Sequence, residues 1–444
     1  MTGQLRDALA RVAEQAPVAD VPADTWARAR RARVRDRVLT GAAAMAVLAV
    51  VGGLTLLPPP DSAPVASGGG PGLPNHLYYV PERMSQHDED LGWTRDEVTT
   101  DLKVGTAAAA WLTPSGGLPV VVDAAEGGYH LLDLPGFSGN NRFMTYGLHE
   151  PTIALSADGR QLAYSWATFG ANAATDPIPS GVRVADLETG RVREFVLRGD
   201  EGTAVTTLAW SPDGRWLAWA GARMGSWTTS SMGRGEPVAG RVSVAASTAK
   251  AIPVRRIDTS EADLSVDDRG RVTLSDGGGL VSWDGVRARA IDLAGARLGG
   301  MAPVSPRGEV ALSTFGQASV VLVDGVRSRT VDVGVQDREA RVMPLAWVGD
   351  ELLVVTDDNG PSDGVLRLVP VSGGASRTVG TVDGGVNPSL TVAADLVTPD
   401  RPTVERPEPD WPWSDERLAL TIALVGAGAL TLLVSAWRIR RRHR

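Results

Sequence analysis

Two stretches of this chain read almost alike: LSADGRQLAYSWA at 155–167 and AWSPDGRWLAWAGA at 209–222. Each is an apolar strand, a tight turn and a second apolar strand, and the two lie about one propeller repeat apart. Ser or Pro followed by Asp-Gly supplies a fixed φ, a side chain that accepts turn amides and a residue tolerant of positive φ, so the chain reverses within about four residues. Weaker copies stand at 265–275 (SVDDRGRVTLS), 303–313 (PVSPRGEVALS), 345–355 (LAWVGDELLVV) and 109–122 (AAWLTPSGGLPVVV), which makes six.

A second hairpin follows most of these, at 181–197, 280–293, 320–333 and 366–380. A hairpin cannot bury both of its faces alone. Two of them make a four-stranded unit, and such units stacked around an axis close a ring that has no long exposed edges. The expectation is therefore an all-β domain over 76–397, a six-bladed β-propeller. Three segments, 76–82, 93–100 and 387–397, are left over; they either close the six-bladed ring by pairing the chain ends or build a seventh blade. In both cases the N- and C-terminal strands meet.

The run at 208–219, a Leu-Ser-Pro-Asp-Gly-Arg-x-Leu-Ala-Trp phrase with Ala209-Trp210 inserted, is similar to the repeat of TolB-like and WD40-like propellers. Trp283-Asp284 looks like a WD dipeptide. The Gly-His of a true WD40 repeat is missing, so the TolB-like variant fits better. A propeller between two apolar runs also resembles actinobacterial membrane propeller proteins, and the Arg- and Ala-rich composition with two lysines agrees.

The apolar runs are Val38–Leu57 and Leu418–Trp437, each twenty residues without a charge. At about 1.5 Å per residue a helix of that length crosses the roughly 30 Å hydrocarbon layer. Trp411, Trp413 and Trp437 lie at the edges of the second run, where amphipathic rings favour the headgroup zone. Arg28, Arg30, Arg31, Arg33, Arg35 and Arg37 precede the first run, and Arg438, Arg440, Arg441, Arg442 and Arg444 follow the second. Positive flanks stay inside, so both termini are expected in the cytoplasm, with two transmembrane helices in the cell membrane and the propeller outside. A 37-residue leader is long for a signal peptide and lacks a clean cleavage site, which favours an uncleaved anchor.

These runs divide the chain into a basic helical tail (1–37), a first span (38–57), a Pro/Gly linker (58–75), the propeller (76–397), a Pro-rich stalk (398–417), a second span (418–437) and a basic tail (438–444). Within the first tail, Leu5, Leu9 and Val12 share one face of an amphipathic helix over 3–16. Residues 1–37 and 438–444 together carry +8 against −8 for the whole chain, leaving −16 between them. That acidic segment argues against nucleic acid as a partner. There is no cysteine, so packing holds the exported domain without disulfides.

In a four-stranded blade the A–B and C–D turns share one face, and the B–C loops and blade-to-blade connections share the other. The turns here are short, as at Pro212-Asp213-Gly214 and Glu188-Thr189-Gly190. Long segments, at 135–151, 168–180, 222–240 and 357–364, fall on the opposite face. They carry Phe137, Asn140, Asn141, Arg142, Phe143, Tyr146, His149, Arg223, Trp227 and Arg234, read as exposed. Arg142, Phe143, Tyr146, His149, Arg223, Trp227 and Arg234 are the candidate binding residues, for a protein or a cell-envelope ligand.

Catalytic signals are thin. No G-x-S-x-G elbow occurs, and the stalk and second apolar run leave no length for the peptidase domain that TolB-like propellers accompany. His76, His87, His130 and His149 show no metal-ligand spacing. Asp357, Asp358, Asn359 and Asp363 form an oxygen-rich loop that lacks EF-hand spacing, and turn chemistry accounts for it more simply than Ca²⁺. No glycine-rich strand-to-helix loop points to a nucleotide. The expectation is a non-catalytic scaffold or sensor with no cofactor. Two alternatives are a signal transmitter whose helix at 3–16 binds a regulator, as in anti-sigma factors, and a propeller enzyme working in the acidic channel.

Overall fold

The computed structural model describes residues 70–80, 98–113, 117–137, 152–168, 178–197, 202–223, 236–252, 263–275, 279–291, 293, 302–313, 318–325, 327–335, 337, 340–357 and 363–409, together with 437 and 441. The chain divides into two units, residues 66–414 and residues 1–65 with 415–444. Of the second unit only Trp437 and Arg441 are described; both are helical, and the Arg441 guanidinium lies 4.3 Å over the Trp437 ring. The helix expected at 3–16 and the spans at 38–57 and 418–437 otherwise lie outside the described residues. Among the described residues no helix is long and apolar enough to cross a membrane.

The described residues of 66–414 form six sheets. The chain begins with two short strands, β1 (His76–Leu77) and β2 (Val98–Thr99), then enters blade 1 with β3 (Ala107–Leu112), β4 (Pro119–Asp123) and β5 (Tyr129–Leu132). Blade 2 is β6 (Ile153–Leu155), β7 (Gln161–Ala167), β8 (Ser180–Asp186) and β9 (Val192–Val196); blade 3 is β10 (Thr203–Trp210), β11 (Trp216–Arg223), β12 (Pro237–Ser243) and β13 (Thr248–Ile252). Blade 4 is β14 (Leu264–Val266), β15 (Val272–Ser275), β16 (Leu280–Trp283) and β17 (Ala288–Ile291). Blade 5 is β18 (Val310–Ser313), β19 (Ser319–Asp324) and β20 (Arg327–Asp332), with a single Val304–Val310 bridge in place of an inner strand. Blade 6 is β21 (Val342–Val348), β22 (Glu351–Thr356), β23 (Asp363–Pro370) and β24 (Arg377–Asp383), and β25 (Thr391–Val392) comes last.

Six apolar clusters fill the six blade-to-blade interfaces, including the one between blades 6 and 1, so the ring is closed with six blades. The strands alternate as period two requires, but in size rather than polarity. In β7, Leu162, Tyr164 and Trp166 face blade 1 while Ala163 faces blade 3; in β11, Leu217 and Trp219 face blade 2 while Ala218 and Ala220 face blade 4. Strands stacked face to face are buried on both sides, and a large side opposite a small one lets adjacent sheets interdigitate. Only outer strands such as β13, β17 and β20 are largely exposed, and Lys250, Arg289, Arg327 and Arg329 mark those edges.

The three leftover segments close the six-bladed ring and make no seventh blade. β1 adds in parallel to the outside of β24, and β2 adds in parallel to the outside of β5. β25 pairs antiparallel with β3 and is the innermost strand of blade 1, in the order β2-β5-β4-β3-β25. This corrects one repeat assignment. The copies at 155–167, 209–222, 265–275, 303–313 and 345–355 are inner hairpins of blades 2 to 6, but 109–122 is the second-to-third strand hairpin of blade 1, because residues near the C-terminal end supply its first strand. The two ends of the described ring do meet: β1 pairs with β24, and Pro74 bridges Val404 in parallel. Parts of the segments read as linker and stalk are packed on the ring, with Leu73 fully buried and Val404 and Arg406 nearly so.

Candidate functional site

The two faces of the ring are built differently. On the turn face the Ser-x-Asp-Gly phrase is a closed hydrogen-bond unit. The Ser156 hydroxyl donates to Asp158 Oδ1 at 2.6 Å and accepts from the Gln161 N–H at 2.9 Å, while Asp158 Oδ1 accepts from the Arg160 N–H at 3.1 Å. Ser211 and Asp213 repeat this with distances of 2.7, 3.0 and 3.0 Å. Gly159 and Gly214 take φ of +72° and +68°, which glycine adopts without steric cost. In blade 4 Asp267 replaces the serine and accepts from the N–H groups of Arg269 and Arg271. The polar atoms of these turns are spent on the fold.

A second device on this face was not read from the sequence. A cation on one blade reaches a carbonyl in the third-to-fourth strand turn of the next: Arg193 to Val244 (3.2 Å), Lys250 to Gly285 (2.8 Å) and Arg329 to Val371 (2.5 Å). At the junction of blades 6 and 1 the cation comes from the C-terminal segment, where Arg406 donates to the carbonyls of Ala124 (3.1 Å) and Ala125 (2.7 Å). A partial sequence trace is the Asp-Gly-Val-Arg-x-Arg at 324–329, which ends in Arg329, and its copy at 284–289, which holds the acceptor Gly285. Between blades 3 and 4, Arg241 lies over both Trp216 and Trp283, at 4.6 and 4.8 Å, and donates to the Gly270 carbonyl.

On the opposite face, ion pairs clamp the roots of two long connections. Arg223 ends β11 and pairs with Glu236, just before β12, at 3.4 Å, while its N–H donates to the Glu236 carbonyl at 2.9 Å. Arg341 pairs with Asp357 at 2.6 Å, joining the start of β21 to the end of β22. Of the candidate binding residues, Arg223 is thus placed on the long-connection face and half exposed, tied to Glu236. Arg142, Phe143, Tyr146, His149, Trp227 and Arg234 lie outside the described residues, as do Asn140 and Asn141.

Phe137 is corrected. It is buried, not exposed, because its backbone bridges Trp166 and its ring meets Tyr164 edge-on at 6.2 Å, filling the inner end of blade 2 where β6 is only three residues long. The long segments are also shorter than read: β12 takes 237–240, β8 begins at Ser180 and β23 at Asp363.

Asp357, the described member of the oxygen-rich loop that precedes β23, has both carboxylate oxygens on Arg341, accepting from its N–H and its Nε at 2.6 Å each. Asp358 and Asn359 lie outside the described residues. His76 faces Thr381 and Asp383 at 2.6 and 3.0 Å and fastens β1 to β24. No group of three potential metal ligands occurs among the described residues.

No family model matches the sequence, and no curated protein matches it. Solved structures similar to the chain include virginiamycin B lyase from Staphylococcus aureus, 8% identical over 61% of this chain and 86% of that one, with a TM-score of 0.36. Another is the propeller domain of the trilobed protease from Pyrococcus furiosus, described as an open velcro topology, 12% identical over 64% and 94%, with a TM-score of 0.33. A third is an oligogalacturonate lyase in complex with manganese, 14% identical over 60% and 70%, TM-score 0.37. At these values the likeness says nothing of activity, and the six blades are counted from the sheets themselves.

Proposed function

We propose that this protein is a membrane-tethered, extracytoplasmic propeller that binds a protein or envelope ligand through its long-connection face and performs no chemistry of its own. The observation that carries the reading is the division of labour between faces. Serine and aspartate side chains on one face are used up in turns, while the roots of the long connections, Arg223–Glu236 and Arg341–Asp357, stand on the other. Rigid scaffolds carry recognition on connections of this kind. Tethering is supported by the two uncharged twenty-residue runs and their arginine flanks.

In-cell crosslinking of the full chain tests the binding face, with Arg142→Ala, Tyr146→Ala and Trp227→Ala combined in one variant. A partner captured by the parent and lost from the variant supports the reading. A partner kept by the variant but lost on deleting residues 2–20 moves the function to the N-terminal tail. Resistance to alkaline extraction from membranes checks the tether separately.

A further inference from the structure

The two ends of the described ring lie side by side, and their polarity has a mechanical meaning. Asn75 N–H donates to the Val404 carbonyl at 2.8 Å, and Val404 N–H donates to the Leu73 carbonyl at 2.7 Å, a parallel pairing centred on Pro74 and Val404. Around it, the Arg401 guanidinium donates to the Gly70 carbonyl at 2.8 Å, Gly72 N–H donates to the Ala124 carbonyl at 3.1 Å, and Arg406 holds Ala124 and Ala125. The joint is close: Leu73 is fully buried, and a Cβ added to Gly72 would lie 2.8 Å from a Val404 methyl carbon.

In a parallel pair the segment that leads into the ring and the segment that leads out run the same way. Gly70 therefore stands at one end of the ladder and Pro409 at the other. Pulling the two apart directs force along the strands and across the hydrogen bonds, which share the load together instead of opening in turn. The clasp also lies between each chain end and the strand that needs protecting. β25, whose two residues close blade 1, precedes 401–406, and β1 follows 70–75.

We propose that segments 70–75 and 401–406 form a shear-loaded clasp that keeps tension on either flank of the propeller from reaching β25 and opening the ring. The inference does not depend on the binding reading, and it holds whether or not the flanks are membrane anchors.

The chain has no cysteine, so Ser67→Cys and Asp410→Cys attach handles on either side of the clasp for optical-tweezers pulling of the full protein in detergent micelles. The expected trace has a discrete first rupture releasing on the order of 50–70 Å, the length of 70–75 and 393–406 at about 3.5 Å per residue less the span they already cover. That first force exceeds the force seen with handles at Glu188→Cys and Arg307→Cys by at least about twofold. Val404→Pro removes the donor to Leu73, one of two ladder bonds, and is expected to lower the first force by roughly half. Arg406→Gln, a milder change, gives a smaller drop with the circular dichroism of the parent. A single unfolding event whose force is the same in the parent, Val404→Pro and Arg406→Gln would overturn the proposal, as would a first force no greater than that of the control pair.

Discussion

Gly159 and Gly214 hold the same place in two copies of one turn, yet they differ in what surrounds them. A Cβ on Gly159 would stand 2.1 Å from the Ala107 carbonyl oxygen, where blade 2 meets blade 1, whereas nothing lies within 4 Å of one on Gly214. Both have positive φ, so Gly214→Ala is expected to cost about 1–2 kcal/mol from backbone conformation alone. Gly159→Ala adds a clash with backbone that has no room to move and should cost roughly 3–5 kcal/mol, checked by urea denaturation of both variants. At the second of these turns Asp213 N–H donates to Asp268 Oδ1 at 2.9 Å. Burial works against the Asp213 carboxylate, but the Arg215 N–H, the Ser211 hydroxyl and the Arg215 guanidinium outweigh it and hold its pKa below the ordinary range. Burial, and then the Asp213 charge, push Asp268 above that range, only partly offset by the Asp213 N–H. Since its folded pKa is raised, the folded state binds the Asp268 proton more tightly than the unfolded chain, and stability falls as pH rises through that value. Asp268→Asn keeps the acceptor and removes the loss, so its Tm should exceed the parent's by about 1 °C at neutral pH and match it below the carboxylate range, as read by calorimetry. An equal gain at both pH values would exclude the charge as the cause.

Among the elements, β25 shows what local sequence reasoning reaches and what it does not. The turn phrase is legible because its chemistry is contained in about six residues, and five of its six copies sit where the repeat puts them. The copy at 109–122 carries the same Ala-Trp and the same apolar flanks, but its place in the blade depends on a partner far along the chain. The Thr391 hydroxyl donates to the Ala110 carbonyl across 281 positions, and it accepts from the Leu155 N–H as well. No local pattern encodes such a pairing, and two residues are too few for a period-two signal. Thr391→Val keeps the shape and leaves the buried Leu155 N–H without its acceptor, so about 1–3 kcal/mol of stability should be lost. An unchanged denaturation midpoint would show that the hydroxyl contributes nothing to closure. Phe137 was misread for a related reason. An aromatic residue in a polar, glycine-rich connection looks exposed, and only the shortness of β6 opens the gap that its ring fills. Of the candidate binding face, the place where the long connections leave their strands was legible from strand order and turn chemistry, while Arg223 alone among the proposed contacts has described surroundings.

For the whole molecule, six interfaces with one apolar cluster each mean that no blade owns a core. Each cluster takes residues from two neighbouring sheets, so a blade removed from the ring loses both walls at once. The clasp, the cation series on the turn face and β25 all act at the boundaries between such units. That placement of β25 governs how the chain comes to be folded as it is made. Synthesis runs from the N-terminal end, and blades 2 to 6 have all of their own strands before Thr391 leaves the ribosome. Blade 1 must wait, with the edge of β3 unpaired, until the last of the described strands arrives. A nascent chain of this protein therefore spends most of its production time as an open crescent with one sticky edge, and the step that completes it comes late. Slow translation near residue 390 would prolong the interval in which that edge can find a strand from another molecule.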